Sequence, residues 1–268
     1  MNSIIKPLQI LQLTDLHLFS DPAGRLMGIN TEDSFHRVLE RAKQYQHWPP
    51  DLILLTGDLA QEPTTVCYRR MQLFLDQLDI QCLCLPGNHD DPNLMQKALH
   101  KGNVQVSFQT ELRGWQILCL NTRIPESEGG AIADNELDRL EACLAQYPDK
   151  PALIALHHHP LPVNSAWVDT MVVDNAVELF TRLVKYPQVR LLICGHIHQQ
   201  WETNQRGIQI LSCPSTCFQF MPESDTFAVD ELAPGYRWLR LYPDGHVKTK
   251  IIRLDKIPSG LDREMNAY

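Results

Sequence analysis

The stretch LLICGHIHQQ, residues 191–200, places two histidines directly after a run of apolar, strand-forming residues. If the backbone stays extended here, His196 and His198 point to one face of the strand and Ile197 points to the other. The spacing therefore permits both imidazoles to reach one metal ion. Two neighbouring histidines in a soluble protein are more often ordinary surface residues, so the remaining ligands of such a site must be sought elsewhere in the chain.

The composition is typical of a globular protein, with 44% of the 268 residues hydrophobic and 21% charged. No repeat, linker or composition break marks a boundary, and we expect a single domain over residues 1–268. No apolar run approaches the roughly 20 residues that span a bilayer, and residues 1–11 lack the features of a secretory signal. The eight cysteines lie mostly within apolar runs, as buried thiols do in a reducing compartment, which indicates a cytoplasmic protein without a membrane partner.

The charge pattern limits the possible partners. The net charge is −8 and no segment is rich in lysine and arginine, which argues against a nucleic-acid polymer, because duplex binding depends on many phosphate contacts. A small anionic substrate is compatible with this charge if metal ions supply local positive charge. The sequence does not indicate an oligomeric state.

Strand-like and helix-like segments alternate through the first two thirds of the chain, which predicts an α/β fold with a layered sheet. The predicted strands in this part are Leu8–Leu13, Leu52–Leu55, Gln81–Leu85, Gln116–Asn121, Leu153–Leu156 and Arg190–Cys194. Helical periodicity surrounds Phe35, Met71, Leu137 and Phe180.

After residue 198 the pattern changes to short strands, which predicts a C-terminal antiparallel β section over about 199–254. Its predicted strands are Ile208–Ser212, Arg237–Tyr242 and Val247–Ile252, the last two joined by a PDG hairpin turn. The polar tail 258–268 is expected to be loosely held.

Polar clusters follow five predicted strands at the point where each strand ends, which is where α/β sheets place their ligands. These clusters contain seven of the eleven histidines, and chance scatter would rarely concentrate them in this way. The clusters are Asp15-Leu16-His17, Gly57-Asp58, Gly87-Asn88-His89-Asp90, His157-His158-His159-Pro160 and Gly195-His196-Ile197-His198.

Imidazole and carboxylate side chains together suit Zn, Fe or Mn ions. One histidine of the triplet 157–159 brings the candidate ligands to seven, too many for one ion, together with Asp15, His17, Asp58, Asn88, His196 and His198. Two ions about 3.5–4 Å apart that share a bridging carboxylate would use all seven ligands. Such a pair of ions stabilises both the attacking oxygen and the leaving oxygen in phosphoryl hydrolysis.

In this order the five clusters resemble the signature of the calcineurin-like metallophosphoesterase superfamily. The longer strings QLTDLHLF, TGDLAQ, LPGNHD, LHHHPLP, CGHIHQ and PSTC.QF resemble those of the bacterial class III 3′,5′-cyclic-AMP phosphodiesterases, over about residues 8–245. The resemblance implies an α/β (α+β) fold, a four-layer αββα sandwich of two mixed β-sheets flanked by helices. It also implies hydrolysis of a small-molecule substrate, cyclic AMP, to 5′-AMP by two divalent metal ions, with Fe or Mn favoured and Zn possible.

Carried over residue by residue, the resemblance assigns a ligand set to each ion. The first ion takes Asp15, His17 and His198, the second takes Asn88, His158 and His196, and Asp58 bridges them. Strand alternation separates His158 from its two neighbours, and the family form His-x-Pro selects His158. His157 and His159 are then expected to hydrogen-bond a ligand or the substrate.

His89 resembles the family's catalytic histidine, which is not a metal ligand. A nearby imidazolium that protonates the leaving ribose oxygen accelerates such a reaction by about 10²–10⁴-fold. The alternative is that His89 caps its own loop. Asp90 then either holds His89 in one tautomer or caps the following turn.

Substrate contacts are expected from Asn88, His89 and His198, and Arg25 is a further candidate in the loop after the first cluster. Asn30 in the same loop either contacts the substrate or caps the next helix. Phe218 and Phe220 could stack on adenine, as could Trp167, but aromatic residues in such positions more often pack in the core.

Two other functions compete with the main prediction. A broader phosphodiesterase of the same fold would act on 2′,3′-cyclic nucleotides or glycerophosphodiesters. A non-catalytic scaffold would be free to lose ligands, whereas this chain carries the full set. The absence of a Gly-x-Gly-x-x-Gly, P-loop or Gly-x-Ser-x-Gly pattern argues against redox, P-loop NTPase and serine-hydrolase functions.

Overall fold

A computed structural model describes residues 6–265 of the chain. Two six-stranded mixed β-sheets stack face to face, and helices cover the outer face of each. The predicted four-layer αββα sandwich is thus confirmed. The strands are β1 (Leu8–Leu13), β2 (Arg25–Leu26), β3 (Ile29–Asn30), β4 (Leu52–Thr56), β5 (Cys82–Leu85), β6 (Val104–Val106), β7 (Gln109–Leu112), β8 (Trp115–Cys119), β9 (Ala152–Ala155), β10 (Val189–Cys194), β11 (Glu202–Gln205), β12 (Ile208–Ser212), β13 (Gly235–Leu241) and β14 (Val247–Arg253). The helices are α1 (Thr31–Lys43), α2 (Thr65–Asp76), α3 (Pro92–Ala98), α4 (Asp134–Gln146) and α5 (Ala176–Leu183).

Parallel strands form the centre of both sheets. The first sheet has the order β14-β13-β1-β4-β5-β6, in which β1, β4, β5 and β6 are parallel. The second has the order β11-β12-β10-β9-β8-β7, in which β12, β10, β9 and β8 are parallel. The carboxyl ends of the central strands therefore meet at one edge of each sheet.

The central strands are mostly apolar, as expected for strands with both faces buried. In β4 every residue from Leu52 to Thr56 is buried. Leu54 faces the second sheet with Ile117 and Ile193, while Leu55 packs under the helices of the first. Each fully buried leucine or isoleucine contributes about 1.5–3 kcal/mol, so the inter-sheet layer holds the two sheets in fixed register.

The predicted C-terminal antiparallel section over 199–254 is not one unit, which corrects that expectation. β11 and β12 extend the second sheet, where β12 lies parallel to β10. The hairpin of β13 and β14, with its PDG turn, pairs antiparallel with β1 in the first sheet. Each sheet thus gains strands beside a central strand that would otherwise be an edge.

Short elements were the ones that sequence periodicity did not predict. α3, β6, β7, β11 and the two-residue strands β2 and β3 are too short to show a helical or strand period. The first part of the polar tail is attached: Pro258 is buried, Leu261 packs on an apolar cluster, and the Asp262 backbone N–H donates to the Met27 carbonyl at 3.0 Å. Within residues 6–265, none of the helices has both the length and the apolar character needed to span a bilayer.

Candidate metal centre

The loops after β1, β4, β5, β9 and β10 bring all five polar clusters to one place at the carboxyl ends of the two sheets. Most of the candidate ligands are fully buried, whereas Asn88 and His89 are partly exposed. Four overlapping groups of histidine and aspartate side chains there have ligand atoms within 4.8 Å of one another.

The first group consists of Asp15, His17 and His198. The two Nε2 atoms of the histidines lie 3.1 Å apart, and His198 Nε2 is 3.4 Å from Asp15 Oδ1. Each ring is oriented from its other side: His17 Nδ1 lies 2.7 Å from Gln61 Oε1, and His198 Nδ1 lies 3.0 Å from the Phe218 carbonyl. Such outer hydrogen bonds fix the tautomer, so that both Nε2 atoms are available to a cation.

The second group consists of Asn88, His157 and His196, and both imidazoles lie close to the side-chain oxygen of Asn88. His157 Nε2 and His196 Nδ1 each lie 3.1 Å from Asn88 Oδ1. The far side of the His157 ring is anchored by the Thr56 carbonyl, 2.8 Å from Nδ1. The His157 Nε2 atom is therefore directed into the site by the end of β4.

Asp58 lies between the two groups. Its Oδ2 atom is 3.8 Å from His17 Nε2 and 3.3 Å from His157 Nε2, while Oδ1 accepts a 3.0 Å hydrogen bond from the His89 backbone N–H. One carboxylate thus faces a histidine of each group, which is the arrangement that a bridging ligand requires.

The side chains converge through left-handed backbone, not through an extended strand as the sequence argument assumed. The affected residues are Asp15 (φ 52°), His17 (φ 48°), Asp58 (φ 50°), His196 (φ 65°) and His198 (φ 47°). Residues other than glycine rarely adopt such φ values, and strained positions of this kind cluster at functional sites. The Asp-x-His and His-x-His pairs still share a site, but bends after the strands place them there.

Two glycines allow the loops to approach. Gly57 has a φ of 95°, and a Cβ at this position would overlap the His157 ring. A Cβ at Gly87 would overlap the Asp58 carboxylate and backbone. The loops after β4, β5 and β9 therefore pack too closely for any larger residue at either position.

The contacts of the histidine triplet argue against His158 as the ligand and for His157. His158 Nδ1 lies 2.7 Å from Thr122 Oγ1 and His158 Nε2 lies 3.1 Å from the Glu128 carbonyl, and neither partner is a candidate ligand. His157 Nε2, in contrast, faces Asn88 Oδ1 and Asp58 Oδ2. The His158 ring does lie close enough to His157 and His196 to join a metal group, but it would have to lose one of its contacts with Thr122 and Glu128. The His-x-Pro spacing selected His158. Spacing alone does not show which imidazole faces Asp58.

The electrostatics and the unpaired atoms fit metal ions. Burial lowers the pKa of His17 to about 3 and that of His196 well below its usual range, which favours the neutral form that a ligand must have. Burial also disfavours the charged form of His157, but Asp58 raises the pKa of that ring to about 9. Burial opposes ionisation of Asp58, but His157 and His89 hold the pKa of that carboxyl well below its usual range. Within the described part of the chain, Asp58 Oδ2 and His196 Nε2 are buried without a hydrogen-bond partner. An unpaired buried carboxylate oxygen is unfavourable, and a cation between the two groups would satisfy Asp58 Oδ2.

Asp90 neither orients His89 nor caps the following turn, the two roles expected from the sequence; it joins two loops. Its buried carboxylate accepts hydrogen bonds from the backbone N–H groups of Leu59, Ala60 and Gly87 and from the Tyr68 hydroxyl. It thereby ties the loop that carries Asp58 to its own loop. The following helix α3 is capped by Asp91 instead.

The structure does not bring Arg25 into the cluster. Arg25 is exposed and its Nη1 donates to the Gly28 carbonyl of its own hairpin at 2.9 Å. Asn30 takes the capping role of its two alternatives, because its Oδ1 accepts from the Asp33 backbone N–H at the start of α1.

The aromatic residues pack in the core, as preferred from the sequence. Phe218 and Phe220 are buried, and the Phe220 ring stacks on His198 with centroids 4.3 Å apart. Trp167 packs edge-on against Phe220. These rings pack beside the first group and support His198.

Supporting residues that the sequence analysis missed include Gln61, Thr122 and Arg123. Gln61 holds His17 and Thr122 holds His158. Arg123 Nε lies 3.3 Å from the Asn88 carbonyl. Thr122 and Arg123 directly follow a predicted strand, so their position at a strand end was the available signal.

Comparison with known proteins agrees with this geometry. The family model described as calcineurin-like phosphoesterase matches residues 8–200. The chain belongs to this family. The fold described above is therefore that of a phosphoesterase. The groups of histidine and aspartate side chains are its candidate metal sites.

Two curated relatives are similar over nearly the whole chain. The chain is 41% identical to a 3′,5′-cyclic-nucleotide phosphodiesterase of Nostoc sp., over 92% of this chain and 93% of that protein. It is 40% identical to the 3′,5′-cyclic adenosine monophosphate phosphodiesterase CpdA of Escherichia coli K12, over 92% and 90%. Among solved structures, a dimetal phosphatase from Danio rerio superimposes with a TM-score of 0.59 at 16% identity, covering 92% of this chain and 99% of that one, which shows the shared fold.

Proposed function

We propose that the protein hydrolyses 3′,5′-cyclic AMP to 5′-AMP at a site that holds two divalent metal ions. The supporting observation is the complete set of donors around Asp58, in a chain 41% and 40% identical to relatives named as 3′,5′-cyclic-nucleotide phosphodiesterases. A non-catalytic scaffold would be free to lose these ligands, whereas this chain carries the full set.

The residues divide into two ligand sets. The first ion is assigned to Asp15, His17 and His198, the second to Asn88, His157 and His196, and Asp58 is shared. Fe or Mn is favoured and Zn is possible, since imidazole and carboxylate suit all three. When bound, the ions would lower the pKa of water and neutralise charge on the phosphate.

His89 is assigned as the proton donor. Its ring is partly exposed and lies edge-on to His17, with centroids 5.1 Å apart, and its backbone N–H is anchored to Asp58. A protonated His89 delivers its proton to the ribose 3′ oxygen as the bond between phosphorus and that oxygen breaks. The product then carries a 3′ hydroxyl and a 5′ phosphate.

We also propose a cytoplasmic location. All eight cysteines are free, and seven of them are buried. Unpaired cysteines in this number are typical of a reducing compartment.

Chromatography of reaction products tests the proposed function. Protein loaded with Mn or Fe is incubated with 3′,5′-cyclic AMP, 2′,3′-cyclic AMP and a glycerophosphodiester, with Asp58→Ala as the inactive control. We expect 5′-AMP from the first substrate, formed faster than any product of the other two. A preparation that cleaves a chromogenic diester but leaves 3′,5′-cyclic AMP intact, or that yields 3′-AMP, would contradict the substrate assignment.

A further inference from the structure

Arg123 lies at the rim of the metal centre although it belongs to none of the five clusters. It follows β8, which runs parallel to β9 and ends beside the histidine triplet. The adjacent Thr122 hydroxyl holds His158, and Arg123 Nε donates to the Asn88 carbonyl at 3.3 Å. The guanidinium is thus fixed beside the residue whose side chain His157 and His196 share.

The pattern of exposure marks the side from which a substrate enters. Asp15, Asp58 and the five histidines at positions 17, 157, 158, 196 and 198 are buried. Asn88, His89 and Arg123 are partly exposed. His89 stands next to His17 of the first group, whereas Arg123 is attached on the side of the second group, so the two flank Asn88 at the open face of the site.

In the part of the chain that the structure describes, no carboxylate pairs with the Arg123 guanidinium. Across residues 6–265, its terminal amino groups form neither a hydrogen bond nor an ion pair, although Glu126 and Glu128 belong to the same loop. The loop itself is held, because the Arg123 backbone N–H donates to Asn121 Oδ1 at 3.0 Å and Arg123 forms a β-bridge with Gly130. A cation anchored at Nε therefore presents its remaining donors at the mouth of a phosphoesterase site.

We infer that Arg123 is a substrate-binding residue whose terminal amino groups donate to the non-bridging oxygens of the phosphodiester. This inference rests on the proposed phosphodiesterase function. The planar guanidinium matches two phosphate oxygens at once, and such charge-assisted bonds are stronger than neutral ones. Because negative charge on those oxygens persists through the displacement, the contact supports both binding and turnover.

The test compares Arg123→Gln, which removes the charge, with Arg123→Lys, which keeps it, and with Arg69→Gln as a control. Arg69 is an exposed arginine on α2, so its replacement removes the same charge away from the site. Three quantities are measured: metal content per chain, affinity for inorganic phosphate by calorimetry, and kcat and KM on cyclic AMP and on bis(p-nitrophenyl) phosphate.

We expect Arg123→Gln to keep full metal content while phosphate affinity and kcat/KM fall by about 10- to 100-fold, the usual effect of losing charge-assisted hydrogen bonds. Arg123→Lys should bind phosphate more tightly than Arg123→Gln but less tightly than wild type, and Arg69→Gln should match wild type. If wild type cleaves the chromogenic diester but not cyclic AMP, the substrate proposal fails, while the phosphate affinities still test Arg123. Unchanged phosphate affinity in Arg123→Gln, equal affinities in the Gln and Lys variants, or loss of metal would overturn the assignment of Arg123 as a phosphate contact.

Discussion

Replacing Asp90 with alanine tests how the loops that carry Asp58 and Asn88 are held together. The Asp90 carboxylate is fully buried and accepts four hydrogen bonds. The donors are the backbone N–H groups of Leu59 (3.1 Å), Ala60 (3.1 Å) and Gly87 (3.0 Å) and the hydroxyl of Tyr68 (2.9 Å). Alanine would leave all four donors without this acceptor in a region closed to water.

The expected loss of stability follows from these four contacts. Each buried donor left unpaired costs about 1–3 kcal/mol, which gives about 4–12 kcal/mol for the set. An opposing effect reduces this figure: burial, and then repulsion by Asp58, raises the pKa of Asp90 from 3.8 to about 6. That shift corresponds to a net penalty of about 3 kcal/mol on the charged carboxylate, from burial and Asp58 together, which the alanine variant escapes. The net destabilisation expected is about 5 kcal/mol, a large part of the roughly 5–15 kcal/mol that stabilises a typical protein.

Urea unfolding of the metal-free protein, with a chelator present, measures this loss without the contribution of bound ions. The matched control is Asp91→Ala, because Asp91 is the next carboxylate along the chain and only caps α3, a contribution of about 1 kcal/mol. If Asp90→Ala does not fold, Tyr68→Phe removes one donor of the four and should cost about 1–2 kcal/mol. An Asp90→Ala protein no less stable than Asp91→Ala, or a Tyr68→Phe protein as stable as wild type, would refute this account of the loop junction.

Three further predictions concern the metal centre. Asp58→Ala is expected to lose both metals, since that carboxylate faces both groups; elemental analysis that finds two bound ions in the variant would exclude a bridging role. His157→Ala should retain at most one ion per chain, whereas His158→Ala should retain two, because the His158 ring is occupied by Thr122 and Glu128; the opposite metal contents would restore His158 as the ligand. His89→Ala should keep both metals yet lose at least about 10²-fold in kcat, and metal loss in that variant would identify His89 as a ligand.

The local sequence determined where the central strands lie and which chemistry collects at their ends. Runs such as LQILQL at 8–13 and LILLT at 52–56 are mostly apolar, which is typical of strands buried on both faces in an α/β protein. The Asp, Asn and His residues that follow these runs favour a metal site, because imidazole and carboxylate suit Zn, Fe and Mn ions. These properties depend on neighbours in the chain, and so they can be read before any folding is known.

The C-terminal strands were located from the sequence but their partners were not. β12 and β13 are both short, largely buried strands, yet β12 joins β10 while β13 joins β1 in the other sheet. Strand pairing depends on which sheet edge is open when the chain returns to it. That information is carried by the assembled sheets and not by the strands themselves.

The contacts that distinguish the three adjacent histidines are likewise visible only in the tertiary structure, and they favour His157 as the proposed ligand. His157, His158 and His159 have the same side chain and almost the same local sequence, so spacing could not rank them. Thr56 and Asp58, about a hundred residues earlier, turn His157 into the site, whereas Thr122, 36 residues earlier, draws His158 away from it. The left-handed backbone at Asp15, Asp58 and His198 has the same origin, because strain of this kind persists only where contacts between distant segments hold the residue in place.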